Sequence, residues 1–188
     1  MAGFKLKELS VSIRSPALSV HGFSLPVVAI SGTLAVDTAD QDAAWELYVE
    51  LVTRVATQPL EDEEGMLRET LSSLYALFGE TRQILRKYGP SVARPKRQGR
   101  WPLGHIAVLI LNSVLRPVLA YWHPVLKAYE DLRPRKTSPM NHERAWARNR
   151  DLRDVLKSVQ GTLLSYAVCL SNAAGVPMIE TPPRYRGR

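Results

Sequence analysis

Arg116 and His123 stand seven positions apart in the run Asn112-Ser113-Val114-Leu115-Arg116-Pro117-Val118-Leu119-Ala120-Tyr121-Trp122-His123-Pro124. Seven positions are two turns of a helix, so both side chains share one face. An imidazole can move a hydroxyl proton and a guanidinium can hold phosphate oxygens. The pair therefore has the parts for metal-independent phosphoryl chemistry. A structural reading competes with it. Pro117 and Pro124 each remove a helix hydrogen bond, and neighbouring polar side chains commonly satisfy the carbonyls so freed. A third reading is a ligand pocket lined by Tyr121 and Trp122.

The spacing of arginine, six residues and histidine resembles the signature of the HEPN ribonuclease superfamily. That resemblance rests on Arg116 and His123 and on the helical pattern around them. It implies a four-helix bundle that cuts RNA without metal, usually as a dimer. In many of those enzymes a polar residue follows the arginine; here it is Pro117.

Two further clusters are basic. The segment Ser91 to Trp101 carries Arg94, Lys96, Arg97 and Arg100 with no acidic residue. Cations beside an aromatic suit single-stranded nucleic acid, through phosphate pairing and base stacking. The alternative is an exposed loop whose Trp101 tucks into the helices. A basic turn, Arg133-Pro134-Arg135-Lys136, and the face of Arg144, Arg148 and Arg150 are either solvated or contacts for nucleic acid or an acidic partner. His142-Glu143 has no second histidine four residues on, where Trp146 stands, so the zinc-helix motif is absent. Ser138 or Asn141 is expected as a helix cap, with Glu143 in the first turn.

No metal site and no cofactor are expected. The four histidines, at 21, 105, 123 and 142, are scattered, and there is no phosphate-binding glycine loop and no cysteine pair. The single cysteine, Cys169, lies among Tyr166, Ala167, Val168 and Leu170 and reads as a small buried hydrophobe. The absence of a disulfide framework points to a reducing compartment and a cytoplasmic location.

The elements that must position these residues follow from periodicity. Residues 4–36 alternate as strand, punctuated by Ser15-Pro16 and His21-Gly22, with a further break expected at Ser31-Gly32. Helices are predicted over 41–58, 62–88, 103–132 with kinks at Pro117 and Pro124, and 140–173. Short connections favour antiparallel neighbours. The predicted fold is mainly α: an antiparallel four-helix-bundle-like domain (37–177) with an N-terminal β-hairpin or small sheet (1–36). It contains a basic linker (89–101) and a basic turn (133–137), and a flexible basic tail (178–188) follows. The longest uncharged run, Trp101 to Leu115, spans 15 residues. That falls short of the roughly 20 a bilayer needs, so a buried core helix is expected and no membrane span. Lys5, Lys7, Glu8 and Arg14 interrupt any apolar leader.

Charge divides the chain. Residues 1–93 hold 8 Lys+Arg against 12 Asp+Glu, net −4, and residues 94–188 hold 17 against 6, net +11, giving the formal +7. Such a split suits an acidic contact surface on one half and an anionic partner or dimer mate for the other. The reading that best joins these features is a non-catalytic binding or assembly module. It would serve as a subunit or adaptor of a larger bacterial intracellular complex, with a protein partner or a second copy bound. A nucleic-acid-binding subunit and a HEPN-like ribonuclease using Arg116 and His123 are the alternatives.

Overall fold

The computed structural model describes residues 6–54 and 65–179. The expectations for Phe4 and Lys5, for the helix end at Gln58-Pro59, for the acidic run Asp62-Glu63-Glu64, and for the tail beyond 179 lie outside the described residues. The protein is mainly helical with a small N-terminal antiparallel sheet.

Four strands, β1 (Lys7–Ser15), β2 (Leu18–Val20), β3 (Phe23–Leu25) and β4 (Val28–Val36), form one long interrupted hairpin. β1 pairs antiparallel with β4 from Lys7↔Val36 to Ser15↔Val28, and β2 pairs with β3 from Leu18↔Leu25 to Val20↔Phe23. Pro16 and Pro26 fall at the interruption, where a ladder donor is missing. The tip is the two-residue turn His21-Gly22, with φ of 24° and 82°, the positive pair that matches strand twist. Contrary to the expected break at Ser31-Gly32, β4 runs straight through it. Gly32 (φ 145°) stays in the ladder, and its missing side chain leaves room for Trp101: a Cβ there would lie 3.0 Å from Trp101 Nε1.

α1 (Thr38–Val52) begins at a reciprocal cap, in which Asp37 accepts from the Asp40 N–H and Asp40 accepts from the Asp37 N–H, both at 3.0 Å. Ala43, Ala44, Leu47, Tyr48 and Leu51 are its buried stripe. α2 (Leu67–Tyr88) buries Leu67, Leu71, Leu74, Leu77 and Ile84 and stops at Gly89, whose φ is 61°.

The third helix is continuous but not uniform. α3 (Leu103–Leu109) passes through a π-helical turn (Ile110–Leu115) into α4 (Arg116–Glu130). The Arg116 N–H reaches back five residues to the Leu111 carbonyl, so the change of register falls directly before Pro117, where one donor is lost anyway. Pro124 stands inside α4, which runs on to Glu130. By length and apolar composition, Leu103–Glu130 is able to cross a membrane; 56% of its most apolar window is buried within the fold.

The single helix expected over 140–173 is two: α5 (Pro139–Arg144) and α6 (Asn149–Ala174). Trp146 causes the break by turning inward, 5.5 Å from Tyr129 and 6.1 Å from Trp122 between ring centroids. The Asn149 side chain donates to the Glu143 carbonyl at 2.9 Å and closes the bend. α6 packs on α1 and carries β1, while α2 packs on α1 and α4. Leu47 and Leu51 of α1, Leu77 of α2, Ile110 of the π turn, and Leu163 and Tyr166 of α6 meet around one internal cavity. Val11, Ile13 and Ile30 of the hairpin join this same apolar core, so the sheet is buried on one face.

Candidate functional site

The basic linker turns back on the acidic half of the chain. Lys96 bonds Asp37, lies 3.6 Å from Asp40 and donates to the Ser91 carbonyl at 2.7 Å. Its side chain is only 14% exposed, and its ammonium is held at the α1 cap. Arg97 and Arg100 both hold Glu8, at 3.1 and 3.3 Å. The Trp101 N–H donates to the Thr33 carbonyl at 2.9 Å and its indole N–H to the Ser31 carbonyl at 3.1 Å. Trp101 therefore lies along the outer edge of β4. Arg94 is exposed.

Arg148 is also engaged. Its guanidinium sits 4.4 Å from the Trp122 ring centroid and donates to the His21 carbonyl at 3.1 Å and the Tyr121 hydroxyl at 3.2 Å. It clamps the hairpin tip onto α4. Arg133 donates to the Thr137 carbonyl at 2.6 Å and closes its own turn, leaving Arg135 and Lys136 exposed there. Arg144 is exposed at the end of α5.

His142 and Glu143 are buried and hold separate places. Ser138 caps α5 by accepting from the Asn141 N–H. The Glu143 carboxylate instead crosses to α2 and accepts from the Leu67 N–H at 2.7 Å and the Arg68 N–H at 3.3 Å. It caps a helix 76 residues away rather than its own. His142 stacks on Tyr129 at 4.1 Å.

Arg116 and His123 do share a site. They line a cleft of about 370 Å³ between α2 and α4, with Tyr75, Phe78, Arg82 and Leu119. Arg116 donates to Asn112 Oδ1 at 2.8 Å, a contact on the π turn, and lies over the Phe78 ring at 5.5 Å. Arg82 faces the same ring at 6.0 Å. Two guanidiniums thus converge on one aromatic, and among the described residues no carboxylate lines the cleft. Tyr75, 67% exposed, stands at its rim. Trp122 lies in the core instead, which removes it as a pocket wall.

His123 is held from behind. Arg68 binds Glu130 through Nε and Nη2, at 2.9 and 2.8 Å, and puts its third nitrogen, Nη1, 2.9 Å from His123 Nδ1. A guanidinium only donates, so Nδ1 must accept and the ring proton sits on Nε2. Nε2 is buried, and the His123 ring also meets the Leu71 backbone. Burial first, and the Arg68 charge second, hold the His123 pKa below its ordinary value. The ring is therefore neutral near pH 7, yet its one lone pair is already occupied by Arg68. Burial pushes the Cys169 thiol up to about 12, which leaves it unreactive. Among the described residues no three His, Cys, Asp or Glu side chains gather as a metal site.

No protein-family model, curated protein or solved structure matches this chain. Sequence reasoning singled out Arg116 and His123 but missed Arg68, Tyr75, Arg82 and Glu130. Arg82 was within reach, because it follows Phe78 by four residues on α2 and so shares its face. Glu130 and Arg68 lie 62 residues apart and carry no local signal of their pairing.

Proposed function

We propose that the protein is a non-catalytic assembly module whose α2/α4 cleft takes an acidic segment of a partner protein. The four long helical stretches act as an antiparallel bundle that holds the cleft walls rigid. The observation that carries this reading is the pair Arg82 and Arg116 over Phe78, in a cleft that no carboxylate lines among the described residues. Guanidiniums recognise carboxylates with directional hydrogen bonds, and Phe78, Leu119 and Tyr75 supply apolar contact beside them. The basic linker favours protein over nucleic acid as the partner, since Lys96, Arg97 and Arg100 already pair with acidic groups of the same chain.

The test uses a fluorescent acidic amphipathic peptide as probe. Arg82→Glu with Arg116→Glu should abolish its binding. Gly79→Leu should do the same by filling the cleft, because a Cβ at Gly79 meets nothing within 4 Å and the helix keeps its backbone. Equal binding by the wild type and both variants refutes the reading. A single-stranded oligonucleotide that binds instead, with steep salt dependence, would favour the nucleic-acid alternative.

The ribonuclease reading keeps one observation, that Arg116 and His123 line the same cleft. It needs Arg68 to leave Nδ1 before His123 takes a proton. RNA cleavage that survives EDTA and vanishes in His123→Ala would support it; cleavage unchanged in that variant would end it.

A further inference from the structure

The outer edge of β1 is an open row of backbone donors and acceptors. Thr33 and Ser31 turn their carbonyls away from β1, since both accept from Trp101 on the far side of β4. Their register partners Ser10 and Ser12 must then turn their own N–H and C=O groups outward, away from β4. The same alternation turns out Glu8 and Arg14. No other strand pairs with β1, and no backbone hydrogen bond reaches this edge among the described residues. The other edge of the hairpin is covered by Trp101. Between Glu8 and Arg14 this one has neither a proline nor a bulge, two of the devices that normally blunt an edge.

We infer that β1 pairs edge to edge with β1 of a second copy of this chain, antiparallel and centred on Val11. That register is singled out by the side chains. It sets Glu8 opposite Arg14 of the second copy, Ser10 opposite its Ser12, and the symmetric pairs likewise. Opposite charges meet twice and serine hydroxyls meet twice, all on the exposed face of the sheet. Sliding either strand by two residues sets Glu8 or Arg14 against serine and loses both ion pairs. The residues whose backbone groups turn outward are the even-numbered ones. This register makes each even residue face another even residue, as the hydrogen-bonded pairs of an antiparallel ladder require.

The contact is isologous, so it closes on itself as a two-fold dimer and consumes both open edges. It turns a two-stranded ribbon, marginal by itself, into a continuous four-stranded sheet. Glu8 already holds Arg97 and Arg100, so the linker is tied to the dimer contact through one carboxylate. The dimer contact lies on the hairpin, apart from the α2/α4 cleft, and neither depends on the other.

Light scattering across a concentration series tests this on the full chain. The wild type should show dimer mass. Ser12→Pro should be monomeric with an unchanged circular dichroism spectrum, because the N–H it removes points outward and serves no bond to β4. Arg14→Glu alone and Glu8→Arg alone should each be monomeric, through like-charge repulsion across the two-fold. Mixed together they should form a heterodimer, since position 8 of each copy then faces a side chain of opposite charge at position 14 of the other. A wild type that stays monomeric at its highest soluble concentration overturns the inference. So does a Ser12→Pro protein that dimerises like wild type, or a mixture that stays monomeric while both variants are folded. Loss of peptide binding in the cleft variants with dimer mass retained separates the two proposals.

Discussion

Glu143 offers the sharpest perturbation. It is 3% exposed, and its carboxylate is the partner of the first N–H groups of α2, at Leu67 and Arg68. Leu67 is fully buried, so water cannot replace the lost acceptor. Glu143→Ala removes a helix cap, worth about 0.5–2 kcal/mol. It also strands a buried donor, costing about 1–3 kcal/mol, and deletes a negative charge at the positive end of a 22-residue helix, about 0.3–1 kcal/mol more. These overlap, so the expected loss is about 3 kcal/mol. At roughly 2–4 °C per kcal/mol for a chain of this size, the melting temperature should fall by roughly 6–12 °C. Glu143→Gln keeps one carbonyl acceptor for Leu67 and should lose about half as much. Urea unfolding monitored by far-UV circular dichroism measures both, and Trp146, three residues on, reports by fluorescence. A Glu143→Ala loss below about 0.5 kcal/mol would mean that the α2 terminus does not depend on α5, and would refute the argument.

Three other outcomes are expected. Gly32→Ala should destabilise the protein by about 1–3 kcal/mol and shift Trp101 fluorescence to the red, because its Cβ meets the indole and its φ suits only glycine. Burial raises Asp40 to about 6, against the hydrogen bond from the Asp37 N–H; burial also pushes Asp37 up, but its bonds to Lys96 and Asp40 outweigh this and hold it below its ordinary value. The folded state thus holds the Asp40 proton more tightly than the unfolded chain does; that stability is present below the unfolded value near 4 and is lost as pH rises through about 6. Urea midpoints of the wild type should therefore fall relative to Asp40→Asn between about pH 4 and 7, and parallel curves would refute this assignment. His123, depressed by burial and Arg68, should titrate below its usual range by NMR and return toward it in Arg68→Met, with no change counting against the Arg68 contact.

Much of the helical order was legible because burial follows local periodicity. The stripe Leu152, Val155, Leu156, Val159, Leu163, Tyr166, Ala167 and Leu170 is buried as its spacing requires. Gly89 and Gly175 stop α2 and α6 because each adopts a positive φ that other residues resist. The break at Trp146 was not legible. Its neighbours read as good helix, and only Tyr129 and Trp122 on another element draw the ring inward.

The charge pattern shows the same division. Its sequence established that the chain has an acidic and a basic half, an Arg and a His two turns apart, and helices with one apolar face each. Those properties depend on residues within a few positions of one another. Which cations remain available was decided by tertiary structure alone. Lys96 meets Asp37 across 59 residues, Arg97 meets Glu8 across 89, and Glu143 caps Leu67 across 76. Ionic and hydrogen-bonding groups act over a few ångströms in space, whatever their distance along the chain. Spacing could place Arg116 and His123 on one face, but only the packing of α2 against α4 brought Arg82 and Phe78 to the first and Arg68 to the second.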